Sequence, residues 1–161
     1  MFKITMNLQL IRTGFACAML SAAFASHADP VLTVSTGGGQ LANVDVATGT
    51  TTVLGNTGTV LTDIAFSPTG DLFGISFNGL YKVNPTTGAT ILVGSLGWAG
   101  TANALVFGSD GTLYMASNTL YTVSTTSATT TAIGSIGFQS GGDLAFVGGN
   151  LYMASDSVVV K

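Results

Sequence analysis

Beyond residue 30 the apolar positions fall in short runs separated by clusters of Gly, Thr, Ser, Asn and Asp. In "LYKV" at 80–83, Leu80 and Lys82 fall on one side while Tyr81 and Val83 fall on the other. Period-two runs bounded by turn-forming residues predict β-strands. Runs that are apolar throughout, such as "ILV" at 91–93 and "LAFV" at 144–147, predict strands covered on both faces. Nothing after residue 28 carries a helical period. That part of the chain is therefore predicted to be all-β.

The runs also repeat. "LANVDVATGTTTVLGNTG" at 41–58 returns as "LYKVNPTTGATILVGSLG" at 80–97 and as "LYTVSTTSATTTAIGSIG" at 120–137, closing on Gly55, Gly94 and Gly134. An apolar run follows each copy: "DIAF" at 63–66, "ALVF" at 104–107 and "DLAF" at 143–146. A further run comes after a turn: "GDLFGIS" at 70–76, "GTLYMAS" at 111–117 and "GNLYMAS" at 149–155. Asn78-Gly79 between apolar runs is a hairpin signal, because both residues tolerate positive φ. Asp45, Asn84 and Ser124 stand at one equivalent place, where a short side-chain acceptor caps a turn.

A tandem unit of about 40 residues holding four strands is the signature of a propeller blade. The units run over 31–70, 71–111 and 112–149, with a partial one at 150–161. The predicted fold is thus a partial β-propeller of three four-stranded blades plus an incomplete fourth. The chain opens on the first strand of a unit and stops near the second strand of another, so its ends do not complement each other. This predicts either the truncated product of a longer gene or an open arc that needs a partner, because uncovered strand edges pair with other chains.

The stretch "DIAFSPTGDLFGIS…GLYKVNPTTGATILVG" resembles the blades of bacterial secreted propellers of the NHL/YVTN and quinoprotein-like kind, over 31–161. The resemblance implies blade shape more than activity. Quinoprotein propellers carry a tryptophan-docking pattern similar to Asp-x-x-Thr-Gly-x-x-x-Trp. Asp45, Thr48 and Gly49 match it, but Val53, Leu92 and Ala132 stand where the Trp would be, so the phrase reads as a tight turn and binds no quinone. Propeller lactonases, which the same resemblance suggests, hold a metal with residues that include Glu, and this chain has none.

Residues 1–28 read as a cleaved secretory signal peptide and are set apart from the fold. Lys3 and Arg12 lead, Gly14 to Phe24 is apolar and small, and Ser26-His27-Ala28 puts small residues before Asp29. The apolar run falls short of the roughly 20 residues a span needs. The expected location is exported, periplasmic or extracellular, with no membrane association after cleavage.

That leader also takes away Cys17, His27 and two of the four basic residues, which leaves Lys82 and Lys161 against seven aspartates, a net charge of −5. Without Arg and with so few Lys, the chain lacks the cations that neutralise phosphates, which excludes a nucleic-acid binder. Without His, Cys or Glu it assembles no Ser-His-Asp triad, no Cys-His pair and no ordinary zinc site. No enzyme activity, cofactor or metal is expected. Asp63 and Asp143 are equivalent, with Ala104 between them in the series; they read as acceptors of backbone N–H groups at the start of a strand and not as calcium ligands.

The loops "GNTGTVLTD", "GSLGWAGTAN" and "GSIGFQSGGD" differ most between copies, and place Trp98 and Phe138 at one equivalent position. Those two are the candidate binding residues, as aromatic platforms for a sugar ring or a peptide. The expected function is an exported, non-enzymatic propeller-type protein presenting loops to a ligand, glycan or protein. One alternative is a structural β-repeat protein of the cell surface or matrix that associates with itself through open blade edges. The other is a fragment of a quinoprotein-like or lactonase-like enzyme.

Overall fold

The computed structural model describes residues 30–161, apart from the side chain of Trp98; the expected signal peptide at 1–28 lies outside the described residues. Each short run of the sequence becomes a strand. In chain order they are β1 (Val31–Ser35), β2 (Gln40–Asp45), β3 (Thr51–Asn56), β4 (Asp63–Phe66), β5 (Leu72–Ile75), β6 (Gly79–Val83) and β7 (Thr90–Ser95), then β8 (Ala104–Phe107), β9 (Leu113–Ala116), β10 (Thr119–Val123), β11 (Thr130–Ser135), β12 (Ser140–Val147), β13 (Asn150–Ser155) and β14 (Val159–Val160). A single turn of 3-10 helix, Gly97–Thr101, lies between β7 and β8. The described residues are all-β, with no α-helix.

The strands form four antiparallel sheets that follow one another along the chain: β1-β2-β3, β4-β5-β6-β7, β8-β9-β10-β11 and β12-β13-β14. They are called here the first to fourth sheets. Each is a meander in which sequence neighbours pair, as tight turns require. The arrangement departs from the predicted units by one strand. "DIAF", predicted to end a unit, instead opens a sheet, because the tight Ser67–Gly70 turn pairs β4 with β5. The same holds for "ALVF", which pairs with β9 across Gly108–Gly111. Three four-stranded blades and a fragment thus become two four-stranded sheets flanked by two of three strands.

Packing runs from sheet to sheet. β4 lies against β8, and β8 against β12. Leu41 of the first sheet packs with Leu72 and Val83 of the second. Ile75 and Leu80 pack with Leu105 and Met115 of the third, and Ala104 and Ala116 with Leu144 and Met153 of the fourth. The same aromatic contact recurs at two junctions, Phe73 on Phe107 at 5.7 Å and Tyr114 on Phe146 at 5.6 Å between ring centroids. A thin sheet with two apolar faces is stable only between neighbours, and the two inner sheets have one on each side.

Candidate interaction surface

The repeated phrase builds one contact device in two halves. The first half is the turn between the third and fourth strands of a full sheet. In the second sheet, Asn84 Oδ1 accepts the N–H groups of Thr86 and Thr87 at 2.9 and 3.0 Å. Gly88 N–H then donates to the Asn84 carbonyl at 2.9 Å, which holds Gly88 in the left-handed region at φ 73°. Asp45 does the same for Ala47 and Thr48 ahead of Gly49, and Ser124 for Thr126 and Ser127 ahead of Ala128. Side-chain capping of this sort suits Asp, Asn and Ser because their short acceptors reach the free donors two and three residues on.

The second half is the closing glycine of the fourth strand. A Cβ on Gly55 would stand 2.0 Å from the carbonyl oxygen of Thr87, so that turn lies directly on the glycine. Thr90 Oγ1 adds a bond to the Thr57 carbonyl at 2.7 Å across the same junction. At the next junction a Cβ on Gly94 would stand 2.8 Å from the Ser127 carbonyl oxygen and 3.0 Å from Ala128 Cβ. The left-handed residues Gly88 and Ala128 are buried as a result.

Each half is left unmatched once. Gly134, the third glycine, has nothing within 4 Å of a Cβ built on it, because the fourth sheet has no strand beyond β14 among the described residues. Gly49, the left-handed residue of the first turn, likewise meets nothing within 4 Å. Beside Gly134 opens a groove of about 360 Å³, lined by Leu120, Ile133, Ile136, Leu144, Met153 and Val160, with Lys161 also on its lining. Ile133 is 55% exposed, while its equivalents Leu54 and Val93 are half-buried against the next sheet. Further exposed apolar residues lie on the other sheets: Val31, Leu32 and Val53 in the first, Val147 and Val159 in the fourth, and also Ile91 and Leu92 in the second, so the "ILV" run is not covered on both faces as predicted.

The aromatic pair expected to bind is placed as follows. Trp98 lies in the 3-10 helix Gly97–Thr101, anchored by buried Leu96 and Ala99. Phe138 stands in the loop before β12 and is 46% exposed. The two occupy equivalent connections, from the last strand of one sheet to the first of the next, and only Phe138 is described as a side chain.

The acidic residues also sort by sheet. Asp63 Oδ1 accepts the N–H of Ile64 at 2.7 Å, and its Oδ2 accepts the N–H of Leu105 on the next sheet at 2.5 Å. Burial pushes its carboxyl up to about 7; the two N–H donors pull the other way, and the charge of Asp143 adds a smaller upward push. Asp143, its equivalent in the fourth sheet, is exposed. Asp45 and Asp110 are held below the usual carboxylate range by N–H and hydroxyl donors from Thr48 and Thr112. No group of three His, Cys, Asp or Glu residues placed to hold a metal occurs among the described residues.

No model of a known protein family and no curated protein matches the chain. Solved structures do resemble it. One, described as arising from the de novo evolutionary emergence of a symmetrical protein shaped by folding constraints, has a TM-score of 0.53 and 22% identity, over 80% of this chain and 65% of that one. Another is the extracellular domain of the putative one-component system BT4673 from B. thetaiotaomicron, with a TM-score of 0.52 and 15% identity, over 82% of this chain and 19% of that one. At such identities the likeness is one of fold. The chain spans less than two thirds of either. Sequence reasoning aligned Gly55, Gly94 and Gly134 but missed the contact that Gly55 and Gly94 make, since a glycine in a strand signals close backbone approach without naming the neighbour.

Proposed function

We propose that this chain is an exported, non-enzymatic repeat protein that works by associating with copies of itself through its uncovered sheet surfaces. The observation that carries the reading is the groove beside Gly134, a largely apolar site with Lys161 on its lining, whose two sister positions among the described residues are both filled by protein. Exposed apolar surface gathered at one place marks an interaction site. Low charge leaves little repulsion between copies. The signal-like pattern at 1–28 supports export. Sedimentation velocity over a hundredfold range of concentration tests the reading: the average mass is expected to rise with concentration. A constant mass of one chain throughout would refute it.

The half-exposed Phe138 favours a second reading, in which the loop before β12 holds a glycan or peptide. Titration with an oligosaccharide panel, followed by tyrosine and tryptophan fluorescence, is expected to show saturable binding that Phe138→Ala abolishes without unfolding the protein. Equal binding by the variant would remove the loop from consideration.

A further inference from the structure

We propose that Asn78 is a site of spontaneous modification, where the side-chain amide is lost through a cyclic imide and the β5–β6 hairpin then lets go of the connection that follows β7. Asn78-Gly79 is the one Asn-Gly pair in the sequence. A backbone nitrogen can attack the side-chain carbonyl of the asparagine before it, and a glycine nitrogen does so most readily because no Cβ shields the approach. The pair stands at the tip of a hairpin, with Asn78 exposed and Phe77 beside it 63% exposed. Gly79 N–H donates to Ser76 Oγ at 3.2 Å, the long end of the range for such bonds, so the nitrogen is lightly held. Packing keeps the glycine in place: a Cβ on Gly79 would stand 2.8 Å from Leu92 Cδ1 and 3.0 Å from the Gly94 carbonyl oxygen.

The reaction needs only water. Gly79 N gives its proton to solvent and bonds to Asn78 Cγ, the bond from Cγ to Nδ2 breaks, and ammonia leaves. Water then opens the imide ring at either carbonyl, giving aspartate or isoaspartate. In isoaspartate the main chain runs through Cγ and is one methylene longer, while the former main-chain carbonyl becomes a free carboxylate. That carbonyl has a task here, since it accepts Leu96 N–H at 3.2 Å. Leu96 is buried, and its own carbonyl accepts Ala99 N–H at 3.1 Å at the start of the 3-10 helix Gly97–Thr101. Lengthening the turn therefore releases the segment that carries Trp98. Two other places in the chain are protected. Asn118 has the same duty in the third sheet, its carbonyl accepting Ile136 N–H at 2.9 Å, but the next residue is Thr119, whose β-branched side chain crowds the nitrogen. Asp110-Gly111 has the glycine, but the Asp110 oxygens accept the N–H and hydroxyl of Thr112 at 3.0 and 2.9 Å, and an ionised carboxylate resists attack.

Ageing the full chain at pH 8 and 37 °C tests this. Ion exchange is expected to resolve a growing, more acidic fraction. Peptide mass spectrometry and an isoaspartyl methyltransferase assay are expected to place the change at residue 78, while Asn118 keeps its amide. Hydrogen exchange of the isoaspartate fraction is expected to show Leu96 and residues 97–101 losing protection, with β8 to β11 unchanged. Asn78→Gln stands exposed in the turn and closes a larger ring slowly, so it is expected to fold as the parent does and to stay uniform on ageing, with Leu96 protected throughout. Freshly prepared Asn78→Asp carries the new charge on an ordinary main chain and is expected to keep Leu96 protected as well, which assigns the loss to the longer backbone. Retention of the amide at residue 78, or equal conversion at 78 and 118, would overturn the proposal. So would isoaspartate at residue 78 with Leu96 still protected.

Discussion

Gly55 and Gly134 sit at the same register of the same strand in two copies of one repeat, yet their surroundings are opposite. Around Gly55 the next sheet presses a backbone carbonyl onto the strand; around Gly134 there is open space. The sequence near each is almost the same, so the difference is one of neighbours and not of local structure. Repeat folds behave this way because each sheet is completed by the next, and stability is roughly a sum of units and of the interfaces between them. The inner junctions report what an interface is made of. At the groove the same face stands without such a neighbour among the described residues.

The sharpest way to break this comparison is to add one methyl group at each glycine. Gly55→Ala puts a carbon 2.0 Å from a carbonyl oxygen that belongs to a hydrogen-bonded turn, and no rotamer relieves it. A loss of at least about 4 kcal/mol is expected, at the extreme end for a single substitution. Gly94→Ala meets its carbonyl at 2.8 Å and costs about 1–3 kcal/mol, as for other overpacked sites. Gly134→Ala stays within about 0.5 kcal/mol of the parent, as for an ordinary surface change. Urea denaturation of the three variants measures all of this, and equal losses at the three positions would end the account.

The next effect concerns the paired aspartates. Asp63 is half-buried against the third sheet with its carboxyl near 7, whereas an aspartate in the unfolded chain titrates near 3.8. The folded state therefore holds the Asp63 proton more tightly, and the stability this contributes is complete below about pH 4 and lost as the pH rises through 7. Between pH 5 and pH 7 the loss is on the order of 3 kcal/mol, from two pH units at about 1.4 kcal/mol each. Chemical denaturation at pH 5 and pH 8 is expected to find the protein more stable at pH 5. Asp63→Asn flattens that difference. Asp143→Asn leaves most of it, because Asp143 stands on the exposed side of the fourth sheet and contributes only the weakest of the influences on Asp63. A protein that gains stability from pH 5 to pH 8 would contradict the burial of this group.

Much of the fold was legible in the sequence because β-strands announce themselves through period and turn residues. The triplet Asp45, Asn84 and Ser124 and the glycines Gly55 and Gly94 fell where the chain uses them, while Asn78-Gly79 marks the β5–β6 hairpin without the positive φ expected of it, Ser76 closing the turn instead. The phase of the repeat was less plain. It depends on which connection is tight enough to pair its strands: Ser67–Gly70 is a hairpin turn, while 57–62 carries the chain to the next sheet. The site was the least legible part. An aromatic residue in a loop, such as Trp98 or Phe138, draws notice as a binding residue, whereas Gly134 and Gly49 differ from their sisters only in what surrounds them.

The smallest expected effect sharpens the comparison from the other side. Lys82 and Asp71 form an ion pair at 2.9 Å on the second sheet, with their side chains 53% and 47% exposed. The third sheet has Thr122 and Thr112 in their places and pairs its strands in the same register. Charges that far into solvent gain little from meeting, because water screens them and two long side chains lose freedom. Lys82→Thr, which makes the second sheet like the third, is expected to cost less than about 0.5 kcal/mol, with a smaller effect still in 0.5 M salt. Thermal denaturation at low and high salt reads it. A loss rivalling that of Gly94→Ala would mean that surface contacts within a sheet carry as much stability as the seams between sheets, and the open seam at Gly134 would then lose its claim to be the place where binding energy is stored.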